Sequence, residues 1–182
     1  MPAMSPDDSR SDAELVAAYR AGDQRAAALL VHRHTAPLAR YLYASGARRE
    51  DLDDLVQEAF FKAFRALESW RGEAGFRSWL FRIGSNLRKD QHRREGSRIL
   101  VELDHDALRS PGGPDLEADA RDLEERLRRG IGELPRMQRE VFLLRAQQGL
   151  EYEEICAVLG TTAGAARVHY HHAVKRLKEL MG

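Results

Sequence analysis

Apolar residues recur along the chain with a helical period, and no strand-like alternation runs long enough to define a sheet. The clearest stretch is Leu52, Leu55, Val56, Ala59, Phe60, Ala63, Phe64 and Leu67, which lays one continuous apolar stripe on a helix. Acidic Glu50, Asp51, Asp53 and Asp54 crowd its first turn, where carboxylates complement the helix dipole. Upstream, Ser11 and Glu14 form the pattern of a capping box ahead of Leu15, predicting a short helix that Gly22 ends. Asp23 is placed to cap the next helix, which runs past Leu29 and Leu30. Pro37 lies inside that stretch and is expected to kink or interrupt it, and Gly46 closes it. A fourth helix puts Phe76, Trp79, Leu80, Ile83 and Leu87 on one face and Arg and Lys on the other, so Phe76 and Trp79 read as core.

The period is lost after residue 95. The stretch GSRILVELDHDALRSPGGPD, residues 96–115, carries a Ser-Pro-Gly-Gly-Pro breaker and reads as a flexible acidic linker. Helical pattern resumes near Leu116, with Ala120, Leu123, Leu127 and Ile131 as its buried edge. Pro135 opens another helix, in whose first turn proline is well tolerated. The expected architecture is all-α: four helices in residues 11–95, the linker, and four helices in residues 116–182. Domains this small bury a modest fraction of their surface and are each marginally stable alone.

The segment GLEYEEICAVLGTTAGAARVHYHHAVKRLKEL has the pattern of a helix-turn-helix. Ile155, Val158 and Leu159 face inward from its first helix, and Cys156 sits beside them as a small packing residue. Gly160 permits the left-handed turn. Thr162 is a good N-cap for the second helix, whose inner face is Ala166, Tyr170, Ala173 and Leu177. That helix would offer Ala163, Gly164, Arg167, Val168 and His171 to a major groove, with Lys175 and Arg176 near phosphates. A plain helical hairpin with a structural glycine is the blander reading.

Charge sharpens the picture. The chain has 29 Lys and Arg against 29 Asp and Glu, a formal net of zero. Yet residues 71–94 hold seven cations against two anions, net +5, and residues 96–134 hold six against ten, net −4. A basic block beside an acidic connector fits a nucleic-acid binder with a separate negative segment. The single cysteine excludes an internal disulfide or a multi-thiolate zinc site. His169 and His172 share a helix face without an acidic or thiol ligand nearby in sequence, so a solvent- or DNA-facing role is preferred to metal binding. No apolar run is long enough for a membrane span, and the polar, acidic N-terminus does not resemble a signal peptide, so the chain reads as cytoplasmic without membrane insertion. No phosphate loop, dinucleotide fingerprint or hydrolase motif occurs, so no catalytic residue, cofactor or metal is assigned.

Three blocks in order, EDLDDLVQEAFFKAFRALESW, FRSWLFRIGSNLRKDQHRRE and LPRMQREVFLL with the helix-turn-helix after it, resemble the extracytoplasmic-function sigma factors of bacterial RNA polymerase. The resemblance covers nearly the whole chain from Ser11 and implies two small helical domains, a sigma-two-like bundle and a sigma-four-like helix-turn-helix, joined by a flexible linker. It implies that Asp51, Asp54, Leu55, Gln57, Glu58 and Phe61 bind the core polymerase. It assigns Arg77, Arg82, Asn86, Lys89, Asp90, Arg93 and Arg94 to the minus-ten promoter element. It gives Thr162, Ala163, Gly164, Arg167, Val168, His171, Lys175 and Arg176 to the minus-thirty-five element. His169, His172 and Val174 stand where relatives often carry basic residues, so this recognition helix has less fixed positive charge. The implied partners are core RNA polymerase, promoter DNA and an anti-sigma factor that occludes both DNA-binding surfaces, with the linker running through the polymerase cleft. Two rivals remain at this point: a dimeric helix-turn-helix regulator that binds a palindromic operator alone, and a helical adaptor with no DNA role.

Overall fold

The computed structural model describes residues 9–72, 75–94 and 117–181, with side chains left aside at 117–122 and 181. The expected linker, 96–115, and Leu116 lie outside the described residues, and so does the side chain of Ala120. Among the described residues all regular structure is helical. The order is α1 Asp12–Arg20, α2 Gln24–Ala44, α3 Leu52–Ala66, α4 Phe76–Arg94, α5 Glu117–Glu133, α6 Arg136–Phe142, α7 Tyr152–Leu159 and α8 Ala163–Met181.

Local chemistry sets the boundaries of the first helices. The Ser11 hydroxyl accepts from the Glu14 amide while the Glu14 carboxylate accepts from the Ser11 amide at 2.7 Å, a reciprocal cap on α1. Asp23 accepts from the Arg25 amide at the start of α2. Gly22 and Gly46, at φ of 100° and 105°, turn the chain after α1 and α2. The interruption expected at Pro37 does not occur, and α2 is one helix of 21 residues. Proline removes one backbone donor there. Burial of Leu30, His34, Leu38, Tyr41 and Leu42 on both sides of it holds the helix against that loss.

The α3 stripe packs as its spacing predicts, with Leu55, Val56, Ala59, Phe60, Ala63 and Leu67 buried and Leu52 and Phe64 partly so. Helix α4 meets α2 closely at Gly84, where a Cβ would lie 3.0 Å from a Leu38 methyl. Phe76 and Leu80 are buried, and Trp79 stacks on Trp70 with ring centroids 5.8 Å apart, so both aromatics serve packing.

In the C-terminal half, α6 continues into a π-helical turn over Leu143–Gln147 before α7. Gly160, left-handed at φ 69° and ψ 41°, ends α7, and the Thr162 hydroxyl accepts from the Ala165 amide to start α8. Ala166, Ala173 and Leu177 are buried, and Tyr170 packs partly buried between Phe142 and Tyr152. Two expectations are corrected. Leu123 is 51% exposed because α5 packs on α8 through its later turns, where Gly130 lies against Leu177 and Leu180. Cys156 is half-buried, since α7 turns Ile155, Val158 and Leu159 inward and leaves Cys156 at the edge of that face.

The two halves pack against each other, chiefly α4 on α7, with α2 and α4 also reaching α6 and the π-helical turn. The face of α4 opposite its apolar stripe, the one expected to carry Arg and Lys, is therefore partly interior: Ser78, Phe81, Ser85 and Arg88 are buried. Small residues allow the approach, and polar ones need partners once inside.

Candidate nucleic-acid interface

Helix α8 presents its outer face freely. Thr162, Gly164, Arg167, Val168, His171, Lys175 and Arg176 are exposed and Ala163 is half-buried, while the opposite side of the helix is core. Arg167 is held in place as well as exposed. Its guanidinium lies 5.0 Å from the centroid of the Tyr152 ring and 3.7 Å from the Glu153 carboxylate, both supplied by α7. Arg145 sits 5.1 Å from the same ring, so Tyr152 is flanked by two guanidinium groups. Sequence reading missed this support; a Tyr in the first turn of the leading helix was its only signal.

Helix α3 turns its polar face outward. Asp54, Gln57, Glu58 and Phe61 are exposed, and Phe61 carries the Arg65 guanidinium 5.4 Å from its ring centroid. Two residues of the expected polymerase-binding set sit differently. Leu55 is buried, one of the apolar residues that fix α3 to the core, and Asp51 accepts from Arg48 at 2.7 Å. Two carboxylates and the Gln57 amide on one ridge can accept from cations of a partner, and the exposed aromatic beside them can fill a shallow apolar recess.

Helix α4 divides. Arg82, Asn86, Arg93 and Arg94 are exposed, while Lys89 and Asp90 are half-buried and Asp90 accepts from Arg93. Arg77 is turned into the contact between the halves, where it donates to the Gln148 carbonyl and side chain. Beside it the Ser78 hydroxyl donates to Glu154 at 2.6 Å, and the other Glu154 oxygen accepts from the Glu151 amide to cap α7. Further along, Arg88 donates to Glu140 of α6 at 2.5 Å, and Arg136 donates to the same oxygen at 3.0 Å. Glu140 is fully buried and Arg88 is 9% exposed. Ser78 and Ser85 are seven residues apart, a spacing that could have marked this second face, and Glu140 is the one acidic residue of α6, set between Arg139 and the apolar run that follows.

Family models match both halves in the expected order: Sigma-70 region 2 over residues 30–98 and Sigma-70, region 4 over residues 124–177. The RNA polymerase sigma factor CnrH of Cupriavidus metallidurans is 33% identical over 187 residues, covering 98% of this chain and 97% of its own. The ECF RNA polymerase sigma-E factor of Escherichia coli K12 is 36% identical over 171 residues, covering 86% and 87%. The solved structure of CnrH in complex with the cytosolic domain of CnrY superposes with a TM-score of 0.69 at 32% identity, covering 94% of this chain and 97% of that one. The sigma factor RpoE in complex with the anti-sigma factor NepR, from Bartonella quintana, shares the fold at a TM-score of 0.67 and 24% identity. With both regions present, in order, and relatives matched over nearly their full length, this chain belongs to the extracytoplasmic-function sigma factors of bacterial RNA polymerase.

Proposed function

We propose that the chain docks on core polymerase through the outer ridge of α3, opens the minus-ten element with α4 and reads the minus-thirty-five element with α8. Residues 11–95 form the polymerase-binding and melting domain, residues 116–182 the upstream-reading domain, and residues 96–115 the tether. The protein works in the cytoplasm as a transcription initiation factor without chemistry of its own. The observation that carries the reading is the sidedness of α8, whose inner residues are core while Arg167, Val168, His171, Lys175 and Arg176 are exposed in the helix-turn-helix frame.

Each surface suits its role. Asp54, Gln57 and Glu58 offer acceptors to basic partners. Arg82, Lys89, Arg93 and Arg94 track phosphates, and Asn86 meets an exposed base edge. Arg77 reaches promoter DNA only after leaving Gln148, so the packed arrangement of the halves belongs to the factor away from polymerase. A restraining protein partner follows from likeness to CnrH, which has been solved with the cytosolic domain of CnrY.

In-vitro transcription with purified core polymerase on a genomic fragment library tests the proposal. Discrete initiation sites that appear only when the chain is added are expected, together with weak DNA binding by the chain alone. Protection of a palindromic operator by the chain alone, as a dimer, would instead establish the rival regulator.

A further inference from the structure

The cleft between the end of α4 and the start of α6 gathers charge that the two halves do not balance. Arg88, Lys89 and Arg93 from α4 and Arg136 and Arg139 from α6 line a cavity of roughly 780 Å³. Asp90 is the one carboxylate lining it among the described residues, and it is already bonded by Arg93. Glu140 takes both Arg88 and Arg136 through a single oxygen. Among the described residues, five cations thus share two carboxylates. Arg139 donates from one terminal nitrogen to the Gly132 and Leu134 carbonyls. Among the described residues, the Nε groups of Arg88 and Arg139 are buried without a partner. Burial, with Arg136 and Arg88 adding to it and Glu140 opposing, holds the Lys89 ammonium below its ordinary range. Burial and Arg88 act on Arg139 in the same direction.

Like charges held this closely repel, and a multivalent anion relieves the repulsion. Guanidinium forks match tetrahedral oxyanions bidentately. Among the described residues the rest of the lining is His92, Ser45, Asn86, Gly46 and Gly132, with no aliphatic, Phe, Tyr or Trp side chain to hold a nucleobase or an acyl chain. The volume falls in the usual small-ligand range of about 300–1,000 Å³, more than a single phosphate fills.

We propose that this cleft binds an oligophosphate, a chain of two or more phosphoryl groups either free or as the tail of a nucleotide, and that its occupancy holds the two halves together. Its contacts come from both halves, so the ligand favours the packed arrangement over the open one. Lys89 and Arg93 also belong to the proposed minus-ten set, so the regulatory consequence, competition with promoter phosphates, rests on that reading. The binding itself does not.

Titration calorimetry of the full chain at constant ionic strength, with sodium tripolyphosphate and separately with ATP, tests the site. Saturable one-site binding of tripolyphosphate is expected, weakened about tenfold or more in Arg139→Gln and in Arg136→Gln, each of which removes a charged donor. Arg94→Gln, outside the cleft lining, should leave the titration unchanged. Equal ATP affinity assigns recognition to any phosphate chain, and weaker ATP binding assigns it to the free oligophosphate. Because Arg139 also ties the turn before α6, Arg136→Gln, whose side chain is 57% exposed, decides the matter if Arg139→Gln does not fold. Non-saturable binding, or equal weakening by all three variants, overturns the proposal. In a promoter-opening assay with polymerase, full activity of Arg94→Gln would count against the minus-ten assignment and leave the titration result standing.

Discussion

Glu140→Gln is the sharpest probe of how the halves are held. Gln keeps the shape and one acceptor but removes the carboxylate bonded to Arg88, at 2.5 Å, where Arg88 is 9% exposed and Glu140 fully buried. Breaking one partner of a buried ion pair costs about 3–5 kcal/mol, because the remaining charge stays desolvated. Arg88 can escape that cost if the halves part and its guanidinium meets water. The penalty therefore falls on the packed arrangement more than on either half. At about 1.4 kcal/mol per factor of ten, a loss near 3 kcal/mol shifts the closed-to-open ratio by about a hundredfold. Energy transfer between dyes on Lys62→Cys and Lys178→Cys, in a Cys156→Ser background, reads the change, because both positions are exposed and lie in opposite halves. Transfer should fall in Glu140→Gln and recover in the double variant Arg88→Met/Glu140→Leu, since apolar groups of similar volume replace a buried pair at little cost. Unchanged transfer with a lower melting temperature would refute the reasoning and leave Glu140 serving only α6 through Arg136.

Three further outcomes are expected. The Asp12 carboxyl is held below its ordinary 3.8: burial raises it, but the hydrogen bonds and charges of His34 and Arg33 outweigh that. A depressed carboxylate contributes stability that is fully present above the unfolded value and lost as pH falls through the folded one. Thermal melts should therefore show a decline below about pH 4 that Asp12→Asn flattens. Arg167→Ala should weaken transcription from promoters that need their upstream element, by the equivalent of about 1–3 kcal/mol in DNA affinity. Full activity on such promoters would remove Arg167 from the reading face. Asp54→Lys with Glu58→Lys should weaken association with core polymerase while leaving circular dichroism and melting intact, because both side chains are exposed. Unaltered affinity in a pull-down would remove the α3 ridge from the docking surface.

Caps, stripes and turns were legible from sequence because each depends on residues within one or two helical turns. Ser11 with Glu14, the Leu52 to Leu67 stripe, Gly160 and Thr162 all act where their spacing places them. Pro37 was misread because propensity is local, whereas the burial that holds α2 through it comes from other helices. Leu123 was misread for a related reason: its periodicity is sound, but α8 covers a later part of α5. The second buried face of α4 could not be found by hydrophobic pattern at all. It is built from Ser78, Ser85, Arg77 and Arg88, polar residues whose burial depends on Glu140, Gln148 and Glu154 from the other half.

That composition bears on what the contact between the halves is for. A permanent interface tends toward an apolar core, as the α3 stripe and the α8 inner face do. Here the charged contacts are charge-assisted and short, yet among the described residues the Arg88 Nε and one Glu140 oxygen are buried without partners. Each such group carries a desolvation cost of about 1–3 kcal/mol that water repays once the halves separate. The same side chains thus hold the packed arrangement through directed hydrogen bonds and lower the cost of leaving it. An interface of this kind stays shut through a few removable charges rather than through bulk apolar area. A partner that competes for Arg77 or Arg88 therefore needs only to replace those bonds to release α4.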